Sequence, residues 1–432
     1  MNSYLFPAKS VHSASVSGPR INDPNIKLQL VTDGLKSPTT IAFLDSTHIL
    51  ALEKNNGTVR MVESGAVLPV PLLNVNVSNK FERGMLGIAL SDNFEGNVTN
   101  VYLYFTQAKD ADGKDICIDS THCGEINEPV GNRLYKYDLA QNKKKLLNPR
   151  LILDLPAGPG AEHNGGVILI RADGDMYLTV GAVASTKSIV SNKVNGTMPD
   201  GRGGILLFDK EGKPSGKGIL GSSFPLNLYY AYGVRNSFGI DIDPVTGKLW
   251  DTENGPGFGD EINLVDPGFN SGWAKVQGIW KRLNYNAGFI EPNPERLLEN
   301  FSGRGKYSPP EFTWNQTVGP TSLKFLNSDK YGKKYENDMF VGSNNNGGII
   351  YHFDLTASRT ALDLEKPLED KIGSNYNETK KLVFGEGFGI ISDLKVGPDG
   401  YLYIVSLPRG SIYRLVPTEA EQVSADGSST NQ

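Results

Sequence analysis

Residues 237–267 read SFGIDIDPVTGKLWDTENGPGFGDEINLVDP. Apolar residues alternate through SFGIDIDP, a short Gly-containing turn follows, and KLWDTE continues as a second extended run. After a Gly- and Pro-rich loop comes a third run, EINLVDP (261–267). Period-two alternation in short runs, punctuated by Asp, Pro and Gly, is strand–turn–strand patterning. The triplet recurs. Its first strands are TIAFLD (40–45), GMLGIALS (84–91), GGVILIRA (165–172), SFGIDIDP (237–244), TSLKFLN (321–327) and ISDLKVGP (391–398). The second strands are HILALE, VYLYFT, MYLTVG, KLWDTE, DMFVGS and YLYIVS. The third are TVRMVE (58–63), RLYKYDL (133–139), GILLFDK (204–210), EINLVDP, GIIYHFD (348–354) and SIYRLVP (411–417).

A three-strand unit cannot bury both its faces alone, whereas repeated units packed radially around an axis do so and leave only short edges. Six copies therefore predict an all-β fold, a six-bladed β-propeller over residues 26–417. Each blade would take a fourth, outer strand from the variable segment between copies. Residues 1–25 are expected as an extended or flexible leader, a candidate for strand addition to this chain or to another copy of it. Residues 418–432 read as a polar tail.

Composition narrows the function. Among 432 residues the formal net charge is −5, so no basic excess exists to neutralise nucleic-acid phosphates, and no apolar run is long enough to span a membrane. The 49 Gly and 25 Pro suit a turn-rich chain. Two cysteines, Cys117 and Cys123, read as a small disulfide-closed loop, with two free thiols as the alternative. Asn-x-Ser/Thr sequons at Asn56, Asn76, Asn97, Asn195, Asn300, Asn315 and Asn377 suit a glycosylated extracellular or cell-surface protein. The first 25 residues lack a signal peptide's apolar stretch, so either the signal was removed before this numbering or there never was one; an exported protein is expected.

In a propeller, residues just before each innermost strand converge on one mouth of the central channel. Thr39 and Thr40, Glu82 and Arg83, Glu162–His163–Asn164, Arg235–Asn236, Trp314 with Thr317, and Ile390–Ile391–Ser392 occupy those positions. His163, followed by two glycines and preceded by Glu162, has the makings of a general base held in one tautomer. A histidine with a purely structural role is the alternative. Arg235 and Asn236 both donate in fixed directions and suit a developing oxyanion, although an arginine tied to neighbouring carbonyls is equally ordinary. Gly255 and Pro256 offer backbone carbonyls to a hard cation, with Asp260 acting through water or from behind. Many acidic loops of this kind merely cap strands.

These residues resemble the soluble glucose/sorbosone (aldose sugar) dehydrogenase family, six-bladed propellers that use pyrroloquinoline quinone and calcium. The resemblance covers about residues 30–417 and is carried by GMLGIAL (84–90), EHNGG (162–166), the stretch YGVRNSFGIDIDPVTGKLWDTENGPGFGDEINLVDPGFNSGW (232–273) and GPDGYLY (397–403). It implies that His163 takes the proton of the sugar's anomeric hydroxyl while hydride passes to the quinone, with Glu162 as its acidic neighbour. It further implies sugar contacts from Glu82 and Trp314, quinone contacts from Arg235 and Asn236, and calcium on the carbonyls of Gly255 and Pro256, with Asp260 nearby.

The sequence also departs from the family. The family's Arg-x-Arg-Asp before the last innermost strand is here Ile390–Ile391–Ser392–Asp393, and a family lysine falls at Asn344–Asn345–Asn346. The usual Gly-Asp is Gly181–Ala182, and an arginine after the two glycines is Val167. Lys324, Lys395 and Arg83 are the cations left to compensate. Two functions are thus expected: a quinone-dependent aldose dehydrogenase, or a non-catalytic extracellular glycoprotein using the propeller as a carbohydrate-binding or assembly module.

Overall fold

The turn inside the opening stretch forms as its residues dictate. Asp243 accepts hydrogen bonds from the Val245 N–H (3.2 Å) and the Thr246 hydroxyl (2.5 Å), and Gly247 supplies a φ of 71°. Strand Ser237–Ile242 thereby folds back antiparallel on Leu249–Glu253, which pairs in turn with Asp260–Val265. A fourth strand, Phe312–Trp314, pairs antiparallel with Asp260–Val265, and Ile372–Gly373 adds a fifth in parallel.

The computed structural model describes residues 18–93, 98–108, 129–216, 218–283 and 286–418. Cys117, Cys123, Asn97, residues 1–17 and residues 419–432 lie outside the described residues. The described chain is mostly β; its one α-helix is the single turn Tyr376–Thr379. All six expected triplets are present as antiparallel sheets. Their innermost strands are Pro38–Phe43, Met85–Asn93, Ile168–Ile170, Ser237–Ile242, Pro320–Phe325 and Ile391–Val396. The fourth strands of the second, third and fifth sheets, Leu146–Leu155, Tyr229–Tyr232 and Val383–Glu386, come from the segments between copies. The sixth differs: its outer strand is Ile26–Thr32, from the opposite end of the chain, paired with Ser411–Pro417. Arg20 and Ile21 add to the edge of the fifth sheet, against Glu386 and Gly385.

Each sheet is covered on both faces, which is why second strands such as Met176–Val180, Met339–Ser343 and Leu402–Ser406 are buried throughout. Six apolar clusters lie between neighbouring sheets, for example Leu50, Met61 and Leu103 between first and second, and Trp250, Leu323 and Tyr351 between fourth and fifth. The sixth sheet packs on the first through Val405 and Ile412 against Ile41 and Ala51. Side chains stitch innermost strands together: the Thr39 hydroxyl donates to the Met85 carbonyl (3.0 Å), Thr40 to Asp393 (2.5 Å) and Ser392 to the Pro38 carbonyl (2.7 Å).

The fourth sheet carries a buried acidic seam. Strand pairing sets Glu253 opposite Glu261 and Asp251 opposite Asn263. Ser271 donates to both glutamates (2.6 and 3.0 Å), and Gln277 donates to Glu261 (2.9 Å). Burial, and then the Glu253 charge, push the Asp251 carboxyl up to about 8. Burial likewise raises Glu253 to about 7 and lifts Glu261 well above the carboxylate range.

Two outcomes follow from this packing. Trp250→Ala empties a fully buried site and should cost about 3–5 kcal/mol in urea denaturation. The seam sets a pH dependence whose sign is fixed: the folded chain holds protons on carboxyls that the unfolded chain has lost above pH ~4, so stability falls as pH rises toward 8. Asp251→Asn should flatten that fall, by on the order of 1.4 kcal/mol for each pH unit over which only the folded carboxyl is protonated. Equal slopes for both proteins between pH 5.5 and 8 would contradict the buried carboxyl.

Candidate functional site at the mouth of the sheets

The segments entering the second, third and fourth innermost strands meet on one side chain. Glu82, in the segment before Met85–Asn93, accepts a hydrogen bond from the backbone N–H of His163 (2.5 Å) and another from Asn236 Nδ2 (3.1 Å), both on Oε2. Burial pushes the Glu82 carboxyl up; the His163 N–H, the Asn236 amide and the Arg235 charge act against it. Of the residues expected at the mouth, the structure brings Glu82, His163, Arg235 and Asn236 together.

His163 adopts a left-handed backbone with φ 64°, and Gly165 and Gly166 follow with φ 65° and 121°. The glycines are required by closeness: a Cβ on Gly165 would stand 2.5 Å from the Thr179 carbonyl oxygen, and one on Gly166 2.8 Å from Leu86 Cβ. A non-glycine residue held in this region is backbone strain of the kind that gathers at functional sites. The imidazole is buried, and its Nδ1 has no hydrogen-bond partner. Burial, with Arg235 second, pushes its pKa down to about 3, so the ring is neutral at physiological pH. Glu162 is exposed and makes no side-chain hydrogen bond among the described residues. The acid that engages the histidine is Glu82, through the backbone.

Arg235 is fixed at both ends. Its N–H donates to Glu253 (2.7 Å), its Nη1 to the Asn254 carbonyl (2.7 Å), and its guanidinium lies 5.3 Å from the Trp273 ring centre. The Gly181–Val183 turn takes up the carbonyls of both Arg235 (Ala182 N–H, 2.8 Å) and His163 (Val183 N–H, 3.1 Å). Gly181 is needed there, since a Cβ would stand 2.3 Å from the His163 oxygen. Asp260 is buried and binds three backbone N–H groups, those of Gly255 (2.7 Å), Val318 (2.7 Å) and Gly319 (2.8 Å). Burial raises it to about 6 against those bonds, and it shapes the Gly255–Pro256 loop from behind. Trp314 is packed inside the fourth sheet's interface, 4.8 Å from Phe312 and 5.5 Å from Tyr351 between ring centres, and does not line the mouth. A separate group on the fifth sheet, Asp338, His352 and Asp354, holds its ligand-type atoms within 4.8 Å of one another.

Beside Glu82 opens a cavity of about 350 Å³, its wall including Leu86, Val167, Phe238 and Ile390. Its charged groups are Lys54, Glu82, Asp393 and Lys395. Lys54 escaped sequence reasoning because it ends a second strand rather than preceding a first one. Its ammonium donates to Asn55 Oδ1 (3.0 Å) and the Asn79 carbonyl (3.2 Å), and burial pushes its pKa down to about 8, with Glu82 opposing. The three cations expected to compensate are otherwise engaged. Arg83 donates to the Ala157 (2.5 Å) and Gly160 (2.7 Å) carbonyls, Lys324 pairs with Asp241 (2.8 Å), and Lys395 lies 3.5 Å from Asp393.

Comparison with known proteins places the chain in a family. The chain is 24% identical over 406 residues to the aldose sugar dehydrogenase YliI of Escherichia coli K12, covering 93% of this chain and 95% of that protein. It is 26% identical over 342 residues to quinoprotein glucose dehydrogenase B of Acinetobacter calcoaceticus, covering 71% and 66%. Among solved structures, the apo form of the soluble E. coli aldose sugar dehydrogenase superposes with a TM-score of 0.67 at 20% identity, over 91% of this chain and all of that one. The PQQ-bound aldose sugar dehydrogenase of Streptomyces coelicolor gives 0.61 at 22% identity, over 92% and 99%. The family described as glucose/sorbosone dehydrogenase matches residues 35–414, nearly the whole span of the six sheets, and to that family this chain belongs.

Proposed function

We propose that the six sheets are the blades of a propeller whose mouth binds an aldose and oxidises its anomeric carbon. The observation that carries this reading is the meeting of His163 and Asn236, from the entrances of two sheets, on the Glu82 carboxyl, which itself lines the cavity. His163 is the proton acceptor for the anomeric hydroxyl: its ring is neutral, its Nδ1 is free of any hydrogen bond, and its backbone N–H is held by Glu82. Asn236 and Arg235 hold that arrangement, the first on Glu82 and the second on the Asn254 carbonyl, with the guanidinium's field available to an oxygen that gains negative charge.

The Gly255–Pro256 loop offers two carbonyls of the oxygen type calcium takes, and Asp260 holds that loop by the Gly255 N–H. Such an ion would polarise a carbonyl oxygen. Pyrroloquinoline quinone does not fit. It is a tricarboxylate, and the cavity sets two cations against two carboxylates, with Lys395 already beside Asp393 and Lys324 and Arg83 bound elsewhere. Three missing charge-assisted contacts are worth roughly 1.5–3 kcal/mol each. The same vacancy of cations favours a second reading, a propeller that binds carbohydrate without oxidising it.

The chain is further read as an exported glycoprotein. Sequons Asn195, Asn300, Asn315 and Asn377 are exposed, Asn56 and Asn76 partly so, and no described helix is long and apolar enough to cross a membrane.

His163→Gln should lower aldose oxidation about 10²–10⁴-fold while calorimetric sugar binding stays within a few-fold; an unchanged rate excludes His163 as the acceptor. Since burial keeps the imidazole deprotonated until pH nears 3, the rate should not fall as pH drops through 6.5. An acidic limb near 6.5 that His163→Gln removes would contradict the buried neutral ring. If sugar binds and no electron acceptor is ever reduced, the binding-module reading stands in place of the enzyme. Expression in a glycosylating eukaryotic host should yield a product that shifts in mass on enzymatic removal of Asn-linked glycans, and an unshifted product would rule out modification of these sites.

A further inference from the structure

The cavity at the mouth has a chemistry of its own. Four of its five hydroxyls are committed: Thr39 donates to the Met85 carbonyl, Thr40 to Asp393, Ser392 to the Pro38 carbonyl and Thr321 to the Ile391 carbonyl. Glu82 is taken up by His163 and Asn236, and Lys395 sits beside Asp393. What remains is an apolar wall that includes Leu86, Val167, Phe238 and Ile390, the neutral side chains of Ser37, Asn55 and Asn344, and one ammonium, that of Lys54, bound only to neutral oxygens. At about 350 Å³ the space is at the lower end of small-molecule sites. An apolar body with a single hydrogen-bond acceptor matches this lining; several carboxylates do not.

We propose that the cavity takes an uncharged quinone in place of a tricarboxylate one, its ring against the apolar wall and one carbonyl oxygen accepting a hydrogen bond from Lys54. This rests on the sugar-oxidation reading and supplies the acceptor that reading needs. The anomeric C–H bond breaks with its electron pair passing as hydride to the quinone, while the hydroxyl proton goes to His163. The sugar is oxidised to its lactone. The quinone, gaining the hydride and then one proton, is reduced to the hydroquinone, so atoms and electrons balance.

The test uses the full chain with calcium and two probes: 2,3-dimethyl-1,4-naphthoquinone, whose blocked ring positions cannot add to thiols, and pyrroloquinoline quinone. Tryptophan-fluorescence titration should show saturable binding of the naphthoquinone. Lys54→Met should weaken it about tenfold, one charge-assisted hydrogen bond's worth. Phe238→Ala should also weaken it, and Lys54→Arg should largely retain it; both serve if Lys54→Met fails to fold. Saturation by pyrroloquinoline quinone at lower concentration than the naphthoquinone, or naphthoquinone binding indifferent to both Lys54→Met and Phe238→Ala, overturns the proposal. Adding a panel of aldoses separates the two readings. Naphthoquinone bound but never reduced supports the ligand class and removes the oxidation reading. Dye reduction supported by pyrroloquinoline quinone alone keeps the oxidation reading and removes this one.

Discussion

A single buried carboxylate organises the mouth of this protein. Glu82 receives the His163 N–H and the Asn236 amide, so the entrances of the second, third and fourth sheets are held to one anion. Burial raises the Glu82 pKa, and the two donors and the Arg235 charge offset part of that cost. The consequences spread outward. With its N–H on Glu82, His163 keeps a left-handed backbone that only a closely packed surrounding could maintain, and the two following glycines let the third sheet press on the second. Arg235 reaches the same place from Glu253, which ties the mouth to the acidic seam behind it.

The seam and the mouth are two treatments of the same difficulty. In the fourth sheet, Asp251, Glu253 and Glu261 share one covered face with no cation among their hydrogen-bond donors apart from the backbone N–H of Arg235, and protonation lowers the cost of confining them. At the mouth, cations are present but occupied by carbonyls and carboxylates of the chain itself. A relative of the same fold that clamps an anion there must leave such groups free. This chain's Ile390, Ser392 and Asn344 line the cavity at the corresponding places instead.

Much of this was legible in the sequence, and the limits have physical causes. Strands could be located because alternation and Asp–Gly turns are local signals, and the repeat turned six local signals into a set of converging positions, which is how Glu82, His163, Arg235 and Asn236 were found together. Trp314 shows where alternation stops informing. In FTW all three residues are buried because the sheet is covered on both sides, so period two cannot tell a wall of the mouth from the interior. Lys54 was hidden by its position after a strand; Asp260 was singled out, but its partners Val318 and Gly319 were not, because they lie far along the chain. Nothing local marks Ile26–Thr32 as the outer strand of the sixth sheet either.

That last pairing has a consequence for how the protein is made. Gln29 meets Arg414 across 385 positions of chain. A ribosome adding about 5–20 residues per second delivers the first of these roughly twenty seconds to over a minute before the second. Until then the earliest strand has exposed ladder groups and no legitimate neighbour, which is the circumstance in which stray association begins. The sixth sheet therefore cannot close until Arg414 has been made, and residues 26–32 spend that interval without their strand partner.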